Sequence, residues 1–313
     1  MNKRVLVLNN RGMGDCIVSV MTFPYIRELL GDVDIHFGVH EKHAGLFEHE
    51  LFAKDKEGFE FSSFGVDYRS LKGIISFYKA LKRIKPDYII ELCPVRRVGK
   101  VIKALKFIDL TLKFTFYSSK NRDLEIPDEF VDKNILQSSL NEIWWAIGTG
   151  RKSPPSYEQY QQVVEQRKGY FVMSMASSSF DHLCKPEDFL KLITKVKTRF
   201  EKIEIIYPLS KSKVDQTMKQ KLIELEAPVT FVEKPLNELP LYFLDAIMFI
   251  GMDTGIKHLS AYMGVPTFSL IPVKSYPYSH SYNDEKHKAI PIDTPFYLIE
   301  EELEASIRKL SST

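Results

Sequence analysis

The residues best suited to chemistry in this chain lie in one stretch, Gly251 to Pro266, where an apolar run is followed at once by Asp253, Thr254, Gly255 and His258. The run Ala246-Ile247-Met248-Phe249-Ile250 predicts a strand covered on both faces, after which a helix starts at Thr254 or Gly255 and stops at Gly264. The unpaired amides of such a helix start, together with the macrodipole, favour a phosphate or diphosphate. Gly255 lets that group approach the backbone closely, and Thr254 and His258 are candidate side-chain donors.

A second centre lies near the N-terminus. The loop Arg11-Gly12-Met13-Gly14-Asp15 joins a β-branched strand to a helix, which puts Asp15 in the first turn of that helix. A carboxylate there either caps the helix or, aimed into a crevice, acts as the base that takes a proton from an attacking hydroxyl. The residue pattern leaves both open. A dinucleotide fingerprint beginning at Gly12 fails, because its third glycine is missing and no acid ends the second strand at the required point. His36, His40, His43 and His49 lie close in sequence but without metal-ligand spacing, so solvated or capping roles are expected and no metal site.

Two further segments carry polar groups in suggestive patterns. Ser177, Ser178, Ser179, His182 and Lys185 precede a helix that begins at Pro186, which makes either a second phosphate contact or an ordinary serine-rich turn. Between Val95 and Ile108 a helical period separates Val98, Ile102 and Leu105 from Arg96, Arg97, Lys100, Lys103 and Lys106. Such a basic face is ordinarily solvated; the alternative is a surface for an anionic acceptor or an acidic membrane leaflet, joined by Arg11 and Arg122.

Asp253-Thr254-Gly255-Ile256-Lys257-His258-Leu259 resembles the D-T-G-x-x-H-L element of the family 9 glycosyltransferases, the bacterial heptosyltransferases of lipopolysaccharide core synthesis. At the other end, KRVLVLNNRGMGDCIVSVMTFPYIREL looks like that family's opening strand, G-D loop and following helix. The resemblance implies an α/β fold of GT-B architecture, two Rossmann-like domains facing across a cleft. It implies inverting transfer of a heptose or similar sugar from a nucleotide diphosphate donor, ADP-heptose in the first instance, to a saccharide hydroxyl. Asp15 is then the general base, and neither a metal nor a bound cofactor is expected. Gly14, Ser177, Ser178, Ser179, His182, Lys185, Asp253, Thr254, Gly255 and His258 become the donor-binding set. Arg11, Arg96, Arg97, Lys100 and Arg122 become the contacts to an anionic glycan or lipopolysaccharide-core acceptor.

The chain departs from the family pattern in three places. The serine loop looks like A-T-T-x-x-x-K-x-W-P but slips by one residue at the lysine, so His182 or Lys185 takes that place. The acid that contacts the ribose in the family has no clear counterpart, Asp215 being the nearest carboxylate after Ser210-Lys211-Ser212-Lys213. Residues 273–295 lack the G-P-T-x-P turn. These departures keep a second reading open, a non-catalytic GT-B protein that binds a nucleotide sugar or glycan.

The elements that must position these residues alternate between strand and helix patterns along all 313 residues, and 44% hydrophobic content suffices for two α/β cores. Strands are expected at 4–9, 34–39, 59–64, 87–92 and 114–118, then at 170–175, 203–208, 229–232, 246–251 and 267–272. Gly148 to Glu158 is rich in Gly, Pro, Ser and charge and reads as a linker between an acceptor-side domain, 1–150, and a nucleotide-sugar domain, 151–313. The last helix is expected to pack back towards the first. A net charge of +2 gives no electrostatic case for nucleic acid. Three scattered cysteines point to reduced thiols and a cytoplasmic setting. No stretch of about 18 apolar residues is present to span a bilayer, which leaves peripheral contact with the inner membrane as the one membrane role open.

Overall fold

A computed structural model describes residues 2–52, 54, 58–93, 95–118, 134–148, 153–160, 167–175, 184–273 and 286–311. The chain divides into two compact units, Met1–Gln161 and Gln162–Thr313.

The first unit runs β1 (Lys3–Asn9), α1 (Met13–Met21), α2 (Phe23–Leu30), β2 (Val33–His40), α3 (Glu41–Phe47), β3 (Ser62–Val66), α4 (Leu71–Ile84), β4 (Tyr88–Glu91), α5 (Arg96–Ile108), β5 (Thr115–Ser118) and α6 (Ile135–Ile147). Its strands pair in parallel in the order β3-β2-β1-β4-β5. Val5, Leu6, Val7 and Leu8 in β1 are all buried because helices cover both faces of a parallel sheet, which is why the strand reads as an unbroken apolar run. The helix after β1 breaks at Thr22: Pro24 in the first turn of α2 has no N–H for the preceding ladder, and Thr22 Oγ1 donates to the Ser19 carbonyl at 2.7 Å. α4 is capped by the Ser70 hydroxyl, which accepts from Gly73 N, and closes on the left-handed Lys85 before Pro86.

The third strand lies at Ser62–Val66, later than the 59–64 expected, because pairing with β2 sets its register through His36↔Ser62 to His40↔Val66. Part of the expected linker also belongs to this unit. Gln137 bonds Pro155 O and Tyr157 N, and the Tyr160 hydroxyl donates to Glu28 at 2.7 Å. The division of the chain therefore falls after Gln161.

The second unit runs β6 (Tyr170–Ser174), α7 (Pro186–Arg199), β7 (Ile205–Leu209), α8 (Lys213–Glu224), β8 (Thr230–Glu233), β9 (Ala246–Met252), α9 (Gly255–Tyr262), β10 (Thr267–Ile271), β11 (His287–Pro291) and, as α10, Phe296–Ser311. The strand order is β11-β10-β9-β6-β7-β8, again all parallel. β11 has no strand signal of its own; it is an edge strand recruited by β10, with Thr267 Oγ1 and His287 Nδ1 3.1 Å apart. α10 turns Ile299, Leu303 and Ile307 into this unit's core beside Leu192 and Val196 of α7, and Lys195 pairs with Glu304 at 3.1 Å. No helix among the described residues is long and apolar enough to cross a membrane.

Each sheet grows in one direction and then in the other, which creates one switch point per unit. In the first it lies between β1 and β4, in the second between β6 and β9. Crevices for ligands form at the carboxyl ends of strands at such points. The second crevice depends on a close approach at Gly251, where a Cβ would sit 2.0 Å from the Ser174 carbonyl oxygen. Gly251→Ala is therefore expected to lower unfolding stability in urea by about 1–3 kcal/mol or more at unchanged denaturant slope. An unchanged midpoint would show that β6 and β9 separate without cost.

Candidate functional site

In the second unit β9 delivers Asp253, Thr254 and Gly255 to the carboxyl edge of the sheet, at the switch point. The helix begins at Gly255, with Thr254 as its extended N-cap residue. The Thr254 side chain makes no capping bond, and its Oγ1 is buried without a partner. A buried hydroxyl without a protein partner is costly, and it is a ready donor to a ligand oxygen. In the first turn of α9 Lys257 N donates back to the Thr254 carbonyl at 3.0 Å, which leaves the Gly255 and Ile256 amides as the donors of the helix start without an intrahelical acceptor.

Asp253 is engaged from within its own helix turn. Its Oδ1 pairs with the Lys257 ammonium, four residues on and only 3% exposed, and lies 4.0 Å from His258 Nε2. Burial lowers the Lys257 pKa and the Asp253 carboxylate opposes that fall. His258 is 7% exposed. Burial first, then the Lys257 charge, drives its pKa from 6.5 down to about 3, against the pull of Asp253. The imidazole is thus neutral and carries one N–H, which can be offered to a phosphoryl oxygen without placing a second charge in a buried site. The apolar period of the sequence does not single out Lys257, although its i,i+4 spacing from Asp253 is a signal for such a pair.

The serine-rich loop was the second phosphate contact expected. Ser177, Ser178, Ser179 and His182 lie outside the described residues, and Lys185 is an exposed N-cap residue of α7. Asp215 is buried in the first turn of α8, where its Oδ2 accepts from Ser210 N at 3.1 Å and from the Ser210 hydroxyl; its Oδ1 has no partner. It therefore shapes its own loop at the carboxyl end of β7 and keeps one acceptor oxygen in reserve.

In the first unit Asp15 occupies the first turn of α1, with Gly14 buried beside it. Its Oδ2 accepts from the backbone N–H of the N-cap residue Gly12 at 3.1 Å, the half of a capping box that a glycine N-cap allows. Asn9, buried at the end of β1, anchors this turn by donating to the Asp15 carbonyl at 3.0 Å and the Ser19 hydroxyl at 2.8 Å. Across the switch point β4 ends in Glu91, whose oxygens accept from Val95 N and from the Ser118 hydroxyl, both at 2.8 Å. Cys93 follows in a left-handed conformation, its N–H bonded to Glu142 at 3.3 Å and its carbonyl to Arg11 Nε at 3.2 Å. Burial, then Glu142 and Asp15, raise the Cys93 thiol well above its ordinary pKa, so it is no thiolate nucleophile.

Asn9, Glu91 and Glu142 were not anticipated from the sequence. Asn9 alone left a signal there, a polar residue closing an apolar strand. Along α5, Val98, Ile102 and Leu105 are buried and Arg97 and Lys100 are exposed, as the periodicity predicts. Only the backbone of Arg96 is described, and Arg122 lies outside the described residues.

The depressed pKa of His258 has a consequence for stability. Between pH 6.5 and about 3 the unfolded chain takes up a proton at this residue that the folded one refuses, so its contribution is complete above 6.5 and lost as pH falls. The maximal slope is about 1.4 kcal/mol per pH unit. His258→Gln is expected to show a shallower loss of urea-unfolding stability between about pH 6 and pH 4 than the parent chain. Parallel curves would mean that the imidazole titrates in its ordinary range.

No family model matches the sequence, and no curated protein matches it significantly. Solved structures do match over the whole chain. The heptosyltransferase WaaC of E. coli, solved with ADP, aligns with a TM-score of 0.69 at 14% identity over 97% of this chain and 99% of its own. A family 9 glycosyl transferase of Veillonella parvula aligns at 0.68 and 14%, covering 99% of this chain and 98% of that one. The E. coli ADP-heptose lipopolysaccharide heptosyltransferase II aligns at 0.67 and 12%, over 98% and 99%. At these identities the likeness is one of fold: the chain carries the two-unit parallel α/β fold, of GT-B type, of heptosyltransferase-like family 9 proteins.

Proposed function

We propose that the protein is an inverting glycosyltransferase that moves a sugar from a nucleoside diphosphate donor to a saccharide hydroxyl in lipopolysaccharide or related surface-glycan synthesis. The observation that carries this reading is the start of α9 at the switch point of its sheet, with the unpartnered Thr254 hydroxyl and neutral His258 beside it. As the bond to the anomeric carbon breaks, negative charge gathers on the departing diphosphate. Oriented amides and a neutral imidazole stabilise it there without a divalent metal and with little reorganisation. Asp15 is assigned the base, taking the acceptor hydroxyl proton as that oxygen attacks the face opposite the diphosphate. WaaC was solved with ADP and with ADP-2-deoxy-2-fluoro heptose, which makes ADP-heptose the first donor to test.

Gly14, Ser177, Ser178, Ser179, His182 and Lys185 are assigned to the donor. Arg11, Arg97 and Lys100, with Arg96 and Arg122, are assigned to an acceptor whose phosphates or carboxylates suit guanidinium forks. One observation favours a second reading, a binding protein without turnover: the Asp15 carboxylate already accepts from Gly12 N at the helix start.

Asp15→Asn separates the two readings, because asparagine caps a helix start about as well as aspartate but has no useful proton affinity. The variant is expected to fold normally, to bind donor as before and to lose transfer by about 100- to 10,000-fold, with chelator changing neither form. Transfer within a few-fold of the parent would leave Asp15 as a cap alone. For the diphosphate subsite, Gly255→Val should weaken ADP binding in calorimetry by about tenfold or more, by holding the phosphates off the α9 amides. Unchanged affinity in a folded variant would remove α9 from the donor site.

A further inference from the structure

We propose that the turn after α5 is a docking surface for an anionic lipid bilayer, with Phe107, Ile108 and Leu110 entering the interface and a lysine-rich surround meeting the headgroups. The inference stands apart from the transferase reading. Phe107, Ile108 and Leu110 are 86%, 77% and 82% exposed. Of the other exposed large apolar side chains among the described residues, Leu71 and Ile75 lie one turn apart on α4 and the rest are scattered, and single ones need no explanation. Three within four residues do.

The turn that presents them is built. The Asp109 carboxylate accepts from the Tyr78 hydroxyl at 2.7 Å, Lys82 Nζ at 3.0 Å, Thr111 N at 2.9 Å and the Thr111 hydroxyl at 2.6 Å. Leu112 N donates to the Asp109 carbonyl at 3.1 Å, and Leu112 and Phe114 turn inward to the core. The polar groups of the segment are thus satisfied beneath, while its largest apolar groups stand in water on top. In a soluble setting that arrangement is costly; against acyl chains it is favourable.

The surrounding charge identifies the partner. Lys103 precedes Phe107 by four residues, on the same exposed face of α5. On the other side, running on from Thr111 and Leu112, a cavity of about 400 Å³ is lined by Arg4, Lys85 and Lys113, with Lys82, already paired with Asp109, and with Asp87 as the one carboxylate of its lining. The Asp87 carboxylate is turned onto Arg4 N at 2.8 Å. A basic cavity beside an apolar wedge suits a lipid phosphate, and the combination of wedge and polybasic surface makes reversible adhesion to anionic leaflets. A second copy of this chain would bring the same lysines face to face, which argues against self-association here. α5 has 13 residues, about 20 Å, so docking would hold its first turn, where Arg97 lies, roughly that far from the lipid-facing turn.

The test is sedimentation of the full chain with phosphatidylcholine vesicles, with and without phosphatidylglycerol, at low and high salt. The protein is expected to pellet only with the anionic vesicles, less so at high salt. The Phe107→Ser/Ile108→Ser/Leu110→Ser variant and the Lys85→Glu/Lys113→Glu variant should each lose about tenfold or more in binding, with unchanged thermal midpoints, since every altered side chain is on the surface or the cavity wall. Phe107→Trp should give a blue-shifted emission on adding anionic vesicles. Absence of parent-chain binding, equal binding to neutral vesicles, or full binding by the serine variant would overturn the proposal. So would light scattering that shows a dimer which the serine variant converts to monomer while neither form pellets.

Discussion

Everything at the candidate site depends on the burial of parallel strands on both faces. β1 and β9 can pair in parallel on each side only if helices cover both surfaces of each sheet, and each crossover helix must then begin at the carboxyl edge. Because each sheet reverses its order of growth once, next to β1 and next to β9, the helix starting there has no neighbouring crossover to cover it. The first turns of α1 and α9 are left open by this topology. Asp15 and Thr254 occupy those two turns.

The two turns differ in charge for physical reasons. At α9 the carboxylate of Asp253 is balanced within hydrogen-bond reach by Lys257, and His258 stays uncharged, so the oriented amides set the local field and an anion is favoured. At the carboxyl edge of the first sheet, Glu142, Asp15 and Arg11 all act on Cys93, and the buried Glu91 ends β4 two residues before it. An acidic edge of this kind suits proton abstraction better than anion binding. Unrelated activities share folds, so the charge at each turn, and not the fold, carries that division of labour.

α5 links the crevice edge of the first unit to its opposite edge. It carries Arg97 and Lys100 near one end and Phe107 and Ile108 at the other, with Val98, Ile102 and Leu105 holding the helix to the sheet. A single amphipathic helix thus joins the proposed acceptor surface to the proposed lipid surface. The ligand-side residues are exposed for the same reason that the core-side residues are legible, the 3.6-residue period.

The sequence by itself determined the fold class, most strand positions and both candidate centres. The apolar runs of β1 and β9, the glycines and acids that follow them, and the alternating period of α5 are local patterns with local causes. It did not determine the register of β3, the recruitment of β11 or the packing of Tyr160 onto Glu28, since those rest on partners distant in the chain. Nor did it show that Lys257 would be buried on Asp253, that His258 would lose its charge, or that Phe107, Ile108 and Leu110 would all face water. A residue's type says what it can bond or titrate. Its solvent exposure and the charges around it, which decide whether it does so, are set only when the strands and helices have packed.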